Sequence, residues 1–244
     1  MLPVAILAGG LATRLGDLTQ TTPKSLIEIA GEPFLAHQLR LLQRRGVTRV
    51  ILCVGHLGDR IRDFAGDGWR FGLQIEYSFD GPLLLGTGGA LRRALPMLGE
   101  SFLVVYGDSY LPCDYSAVSR SFLDSSKLAL MTVFRNEGRG DASNVEFVDG
   151  RIVGYNKVDR TPRMRYIDYG LGAFHAKALE EIAPDQACDL ATIYHDLLER
   201  GQLGAYEIGR RFYEIGSLSG IHELEEHLTE PRRRAVFLDR GRAC

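Results

Sequence analysis

VAILAGGLATRLGDLTQTTPKSL, residues 4–26, reads as a short buried strand running straight into a polar, glycine-rich loop. Val4 to Leu7 form an apolar run suited to a strand, and the backbone amides of a turn at Gly9 and Gly10 can converge on phosphate oxygens. Glycines alone would fit any loop. Arg14 and Lys24 lie in the same segment, and fixed cations beside a glycine nest are what a polyphosphate needs. The spacing is neither G-x-x-x-x-G-K-[ST] nor the dinucleotide pattern G-x-G-x-x-G.

Outward from this loop, β-rich runs alternate with amphipathic stretches. FLAHQLRLLQRRG (34–46), LGDRIRDFAG (57–66) and GGALRRALPML (88–98) read as helices, and RVILCVG (49–55), LQIEYSF (73–79) and FLVVYGD (102–108) as strands. The rhythm predicts a parallel sheet covered on both faces. After about residue 126 the pattern changes. LALMTVFR (128–135) reads as a strand, and NVEFVDGRIVGYNK (144–157) as a hairpin turning at Asp149-Gly150. YIDYGLGAFH (166–175) and LGAYEIG (203–209) are strands flanking the helix LATIYHDLLERG (190–201), and ELEEHL (223–228) is a closing helix. The expected fold class is α/β: a Rossmann-like three-layer α/β/α sandwich with a mixed, mainly parallel central sheet and an antiparallel, substrate-facing elaboration. One domain is expected over 1–230, its nucleotide-binding half 1–126 and its second half 127–230, followed by an extension at 231–244.

Composition narrows the partners. Lys and Arg number 29 against 31 Asp and Glu, so no overall field recruits nucleic acid or an anionic membrane. Cys53, Cys113, Cys188 and Cys244 show no metal-ligand spacing, no apolar run approaches a membrane span, and MLPVAILAGG lacks a cationic leader. A soluble, cytoplasmic protein is expected. The histidines fall into no metal-ligand pattern, and no serine sits in a G-x-S-x-G elbow.

Several motifs carry chemistry. Gly86 to Gly89 open a helix with small residues, leaving its amides for a ligand or serving close packing against the sheet. Asp108 ends a strand at the sheet edge where ligands bind in open α/β folds, and a carboxylate there suits Mg²⁺.

G-G-x-x-T-R-L (9–15) followed by Pro23-Lys24, then LGTGGAL (85–91), VYGD (105–108), YNK (155–157) and YEIG (213–216), resembles in order the sugar-1-phosphate nucleotidylyltransferase family. The resemblance implies that Leu7, Ala8, Gly9, Gly10 and Thr13 line the nucleotide, with Thr87 and Gly88 beside the base. It implies that Arg14 grips the β and γ phosphates, Lys24 neutralises the α phosphate, Asp108 holds Mg²⁺ and Lys157 meets the sugar phosphate. Gly107, Asn144, Asp168, Tyr169 and Gly170 become sugar-pocket candidates, although Tyr169 equally reads as a packed strand residue. Two positions depart from the family pattern: Glu214 replaces the usual second metal aspartate, and Asn156 the glutamate before Lys157.

LGTGGA most resembles the branch joining GTP to heptose 1-phosphate; a neighbouring branch, carrying ETGG, joins UTP to N-acetylmuramate 1-phosphate. Hexose or mannose 1-phosphate as substrate, and a non-catalytic nucleotide-sugar sensor, are the alternatives. C-terminal helices in the family join subunits, which implies a homodimer. RRAVFLDRGRAC (233–244) resembles the opening strand of a haloacid-dehalogenase-type phosphatase, but Gly241 stands in place of its second aspartate, which implies no phosphatase activity; a basic amphipathic extension is the other reading.

Overall fold

The computed structural model describes residues 1–10, 21–138 and 141–240, from residue 230 onward as backbone only. Seven strands make the central sheet: β1 (Val4–Leu7), β4 (Arg49–Val54), β5 (Gln74–Phe79), β6 (Ser101–Tyr106), β8 (Ala129–Phe134), β11 (Ile167–His175) and β12 (Leu203–Glu207). Two-residue ribbons pair β2 (Glu28–Ile29) with β3 (Glu32–Pro33) and β7 (Ser109–Tyr110) with β13 (Tyr213–Glu214), and β9 (Val145–Val148) forms a hairpin with β10 (Arg151–Tyr155). The helices are α1 (Phe34–Arg44), α2 (Gly58–Ala65), α3 (Gly86–Leu98), α4 (Tyr115–Asp124), α5 (Leu190–Glu199) and α6 (Leu218–Arg240).

The strand order is β12-β8-β11-β6-β1-β4-β5, and only β11 runs antiparallel to its neighbours. The second half is therefore less antiparallel than its sequence suggests: β8 and β12 pair in parallel and extend the same sheet. Strand alternation sorts the core into two layers. Val4 and Ile6 of β1 pack with Leu35, Leu39 and Leu42 of α1 and with Val118 and Phe122 of α4. Ala5, one residue out of phase, packs on the opposite face with Leu91 and Ala94 of α3 and Ile193 and Leu197 of α5. This is the expected three-layer sandwich.

From β1 the chain crosses to β4 and β5 on one side, whereas β6 flanks β1 on the other. The crevice between the carboxyl ends of β1 and β6 is thus the switch point at which open α/β sheets bind ligands. Gly107 explains how closely the two ends approach. Its N–H donates to the Leu7 carbonyl at 2.9 Å, and a Cβ on it would lie 2.7 Å from that same oxygen.

Two elements differ from the sequence reading. Helix α4 was not signalled, because its run YSAVSRSFLD is half polar, yet Asp114 caps it by accepting from the Ala117 N–H at 3.0 Å. The tail read as a phosphatase-like strand continues α6 as far as Arg240.

The β9–β10 turn has Asp149 at φ 49° and Gly150 at φ 77°, the left-handed pair a two-residue hairpin requires. Gly150→Ala should cost about 1–2 kcal/mol because its Cβ is unfavourable in that backbone region. A urea midpoint lowered at constant slope would show this; an unchanged midpoint would contradict it.

Candidate active site

Leu7, Ala8, Gly9 and Gly10 beyond β1, Lys24 and Ser25, Cys53, Asp80 and Leu84, Gly86 and Thr87, and Tyr106 to Asp108 enclose a cleft of about 290 Å³ at the switch point. Most of the expected nucleotide contacts therefore converge on one cavity. Thr13 and Arg14 lie outside the described residues.

Lys24 follows Pro23, whose extended backbone ends the loop and begins a single 3-10 turn over Lys24–Leu26. That turn delivers the Lys24 ammonium to Asp108, Nζ to Oδ2 2.6 Å, with both side chains partly exposed to the cleft. The Ser109 hydroxyl donates to Asp108 Oδ1 at 3.3 Å. Asp108 itself lies where the chain leaves β6 and enters β7, and its carbonyl accepts from the Ile215 N–H at 3.0 Å. Pairing of β7 with β13 sets Ser109 opposite Glu214, so Glu214 sits across from the residue that follows Asp108.

Glu214 is nevertheless engaged. Its Oε2 accepts from the Gly216 N–H, and its Oε1 from the Ser217 hydroxyl at 2.6 Å, at the entry to α6. Among the described residues no group of three or more His, Cys, Asp or Glu could hold a metal ion. Asp108 still fits Mg²⁺. It is a hard oxygen donor lining the cleft, and Mg²⁺ takes one or two carboxylates and fills its shell with water and phosphate.

The glycine-opened helix behaves differently from the expectation that its amides face a ligand. The N–H groups of Gly88 and Gly89 donate to the Cys188 carbonyl at 2.8 and 3.3 Å, and the Thr87 hydroxyl oxygen accepts from the Leu190 N–H at 2.7 Å at the start of α5. A Cβ on Gly88 would lie 2.7 Å from Ile193 Cδ1, and one on Gly86, at φ 69°, 2.7 Å from the Cys188 carbonyl. These glycines are small so that α3 can dock on the loop before α5. Thr87 reaches the cleft; Gly88 is absent from its lining.

The sugar-side candidates gather beside β6. Lys157 Nζ lies 5.6 Å from the centroid of the Tyr106 ring, and the Asn156 side chain closes the turn leading to it by accepting from the Val158 and Asp159 N–H groups. Asp168 sits at a bulge in β11 where Gly170 adopts φ 95°, and Asp168 Oδ1 accepts from the Gly170 N–H at 3.0 Å. Burial pushes the Asp168 carboxyl above the usual aspartate range, opposed by Lys157 and the Gly170 N–H. Asn144 braces this bulge, its Oδ1 accepting from the Asp168 N–H at 2.9 Å. Tyr169 is a correction: it is 1% exposed and packs on Phe134 and Phe212 in the core, because neighbouring strand residues face opposite sides of the sheet.

Two polar residues of the site escaped sequence reasoning. Asp80 follows β5, is 5% exposed, lines the cleft, and accepts from the Leu85 N–H at 3.3 Å through Oδ2. A carboxylate at the end of a strand, before a Gly-Pro turn, is the signal that marks it. Gln38, 2% exposed, is the one amide on the buried face of α1, where the pattern asks for an apolar residue. Cys53 lines the cleft as a neutral thiol, its pKa pushed up to about 12 by burial and by Asp80.

This arrangement can hold a nucleotide anion between a cation and a carboxylate and bring a second anion to it from the Lys157 side. Comparison with known proteins agrees with that reading. Residues 4–230 match the nucleotidyl transferase family model. The N-acetylmuramate alpha-1-phosphate uridylyltransferase of Neisseria meningitidis is 41% identical over 113 residues, 46% of this chain and 49% of that protein. The D-glycero-alpha-D-manno-heptose 1-phosphate guanylyltransferase of Campylobacter jejuni is 34% identical over 125 residues, 51% of this chain and 54% of that one. The chain thus spans about half the length of these curated relatives. HddC from Yersinia pseudotuberculosis, solved in complex with GMP-PN, superposes with a TM-score of 0.79 at 26% identity, covering 93% of this chain and all of that one. With its sheet order, its switch-point cleft and this match over nearly its whole length, the chain belongs to the nucleotidyl transferase family.

Proposed function

We propose that the chain transfers a nucleoside monophosphate from GTP to a sugar 1-phosphate, heptose 1-phosphate being the favoured acceptor, and releases pyrophosphate. The observation that carries the reading is the cleft in which Lys24 and Asp108 meet at 2.6 Å, with Lys157 lying over the ring of Tyr106, a residue of its lining. One acidic and two basic groups so placed suit two phosphates that must be held together against their mutual repulsion.

An oxygen of the sugar phosphate attacks the α phosphorus in line, the bond to the bridging oxygen breaks, and pyrophosphate leaves with that electron pair. The nucleophile is already anionic, so the protein need supply no general base. Lys24 offsets charge on the α phosphate, and Lys157 orients the acceptor. Asp108, with Glu214 on the adjoining strand, would hold Mg²⁺, which neutralises charge on the triphosphate and the departing pyrophosphate.

Asp80 supports guanine. Guanine offers N1–H and N2–H₂ along one edge, two donors matched to a carboxylate, whereas uracil offers one N–H between two carbonyls. Asp80 lines the cleft, where it accepts from the Leu85 N–H and lies in the field of Arg93. The similarity to a uridylyltransferase keeps UTP with N-acetylmuramate 1-phosphate as a second reading.

Pyrophosphate release measured with Mg²⁺ across GTP, UTP, CTP, dTTP and ATP, each offered with a panel of sugar 1-phosphates, tests both. GTP with a heptose 1-phosphate should give the highest kcat/KM; UTP with an N-acetylated sugar acid would establish the second reading, and silence with every pair would refute transfer. Lys24→Ala should lower kcat on the order of 10²–10³-fold, as loss of one transition-state donor does, with the melting temperature little changed.

Asp80→Asn separates recognition from stability. Burial outweighs the Leu85 N–H and Arg93 and raises the Asp80 carboxyl above its usual range. The folded chain then binds a proton there more readily than the unfolded chain, so this group's contribution to stability is present below pH about 4 and is lost as pH rises through the folded value. At neutral pH the variant should therefore melt higher than the parent, with the difference shrinking towards pH 3, while discrimination for GTP falls. A variant melting lower at pH 7 would contradict the assignment.

A further inference from the structure

We infer that Gln38 is the positioning residue that sets the Asp108 carboxylate in the cleft, by holding the two peptide carbonyls on either side of it. The inference rests on the transfer reading for its kinetic consequence, though not for its geometry.

Gln38 Nε2 donates to the Tyr106 carbonyl and to the Ser109 carbonyl, each at 2.9 Å. These are the residues just before and just after Gly107-Asp108, where the chain leaves the β6 ladder. A peptide carbonyl stranded in a dry core costs about 1–3 kcal/mol. Both partners are acceptors, so the amide must present its NH₂ to them, and that also fixes which end is nitrogen. Of the side chains of this size, only a primary amide offers two hydrogens without bringing a charge. Glu would face the carbonyls with oxygen, and Leu or Met would leave both unpaired.

The arrangement has a cost. Gln38 Oε1 is buried without a hydrogen-bond partner among the described residues, on a face of α1 whose other buried positions are apolar. A buried polar group with one unsatisfied atom calls for a reason, and the two carbonyls supply it. The remaining groups of the kink are held from other directions. Gly107 N–H bonds to Leu7 of β1, and the Asp108 carbonyl accepts from Ile215 before α6. The segment around Asp108 is therefore tied to β1, to the residue before α6 and, through Gln38, to α1.

Gln38→Met keeps the length and the apolar packing and removes both donors. Hydrogen exchange and pyrophosphate release are measured together, far below the melting temperature. The expected result is faster exchange confined to residues 107–110 and 215, and a kcat lower on the order of tenfold to a hundredfold, the scale of a misplaced catalytic group. The Mg²⁺ concentration for half-maximal rate should rise, with KM for the nucleotide little changed. Exchange spread evenly through α1 and β1, with kcat and the Mg²⁺ dependence unaltered, would overturn the inference and leave Gln38 a packing residue. If Gln38→Met fails to fold, Gln38→Asn, whose amide is drawn back by one methylene, gives the same reading. A parent protein that releases no pyrophosphate refutes the transfer reading instead, and the exchange pattern still decides whether Gln38 holds the kink.

Discussion

The Gly107 peptide lies so close to Leu7 that only a hydrogen atom fits where a side chain would begin. That approach lets β6 end flush with β1 at the point where the sheet's winding reverses, and everything functional is hung from it. With β6 stopped there, the chain turns, exposes Asp108 to the cleft, and pairs β7 with β13, which brings Glu214 and the entry to α6 alongside. Lys24 completes the corner from the glycine loop. A larger residue at position 107 would push on the Leu7 carbonyl and Ala8 at once, separating the strands whose ends form the site.

The fold was legible where one physical signal dominates. Val4 to Leu7 are apolar throughout because β1 is central and covered on both faces, and Asp149-Gly150 mark a hairpin because almost no other pair tolerates that backbone. Legibility fails where the decisive partner is distant. Nothing in YSAVSRSFLD announces a helix until Asp114 caps it and the sheet covers Val118 and Phe122. The ribbon β7–β13 is two residues long on each side, too short for any periodicity, yet it sets Glu214 opposite Ser109, the neighbour of Asp108.

The site shows the same division. Lys24 and Asp108 could be named because a cation beside a glycine loop and a carboxylate at a strand end have few structural uses, whereas Lys157 was named only through the family resemblance. Tyr169 and Gly88 were harder, since an aromatic in a strand or a glycine in a helix serves packing as readily as binding. Here Phe134 and Phe212 claim the one, Ile193 and Cys188 the other. Asp80 and Gln38 are single polar residues in apolar surroundings, and their meaning appears only when Gly9, Gly55 and the Tyr106–Ser109 kink fold around them.

Those two residues also show how the molecule separates stability from function. The Asp80 carboxylate is desolvated at the cleft, and the Gln38 amide leaves one oxygen unpaired in order to hold two carbonyls. One follows β5 and the other lies on α1, while α3 is bonded to the start of α5 through Thr87 and Cys188. The rigidity of the scaffold is what lets the cleft carry unfavourable polar groups, because a group that is costly to bury keeps its position only when the surrounding packing leaves it no other.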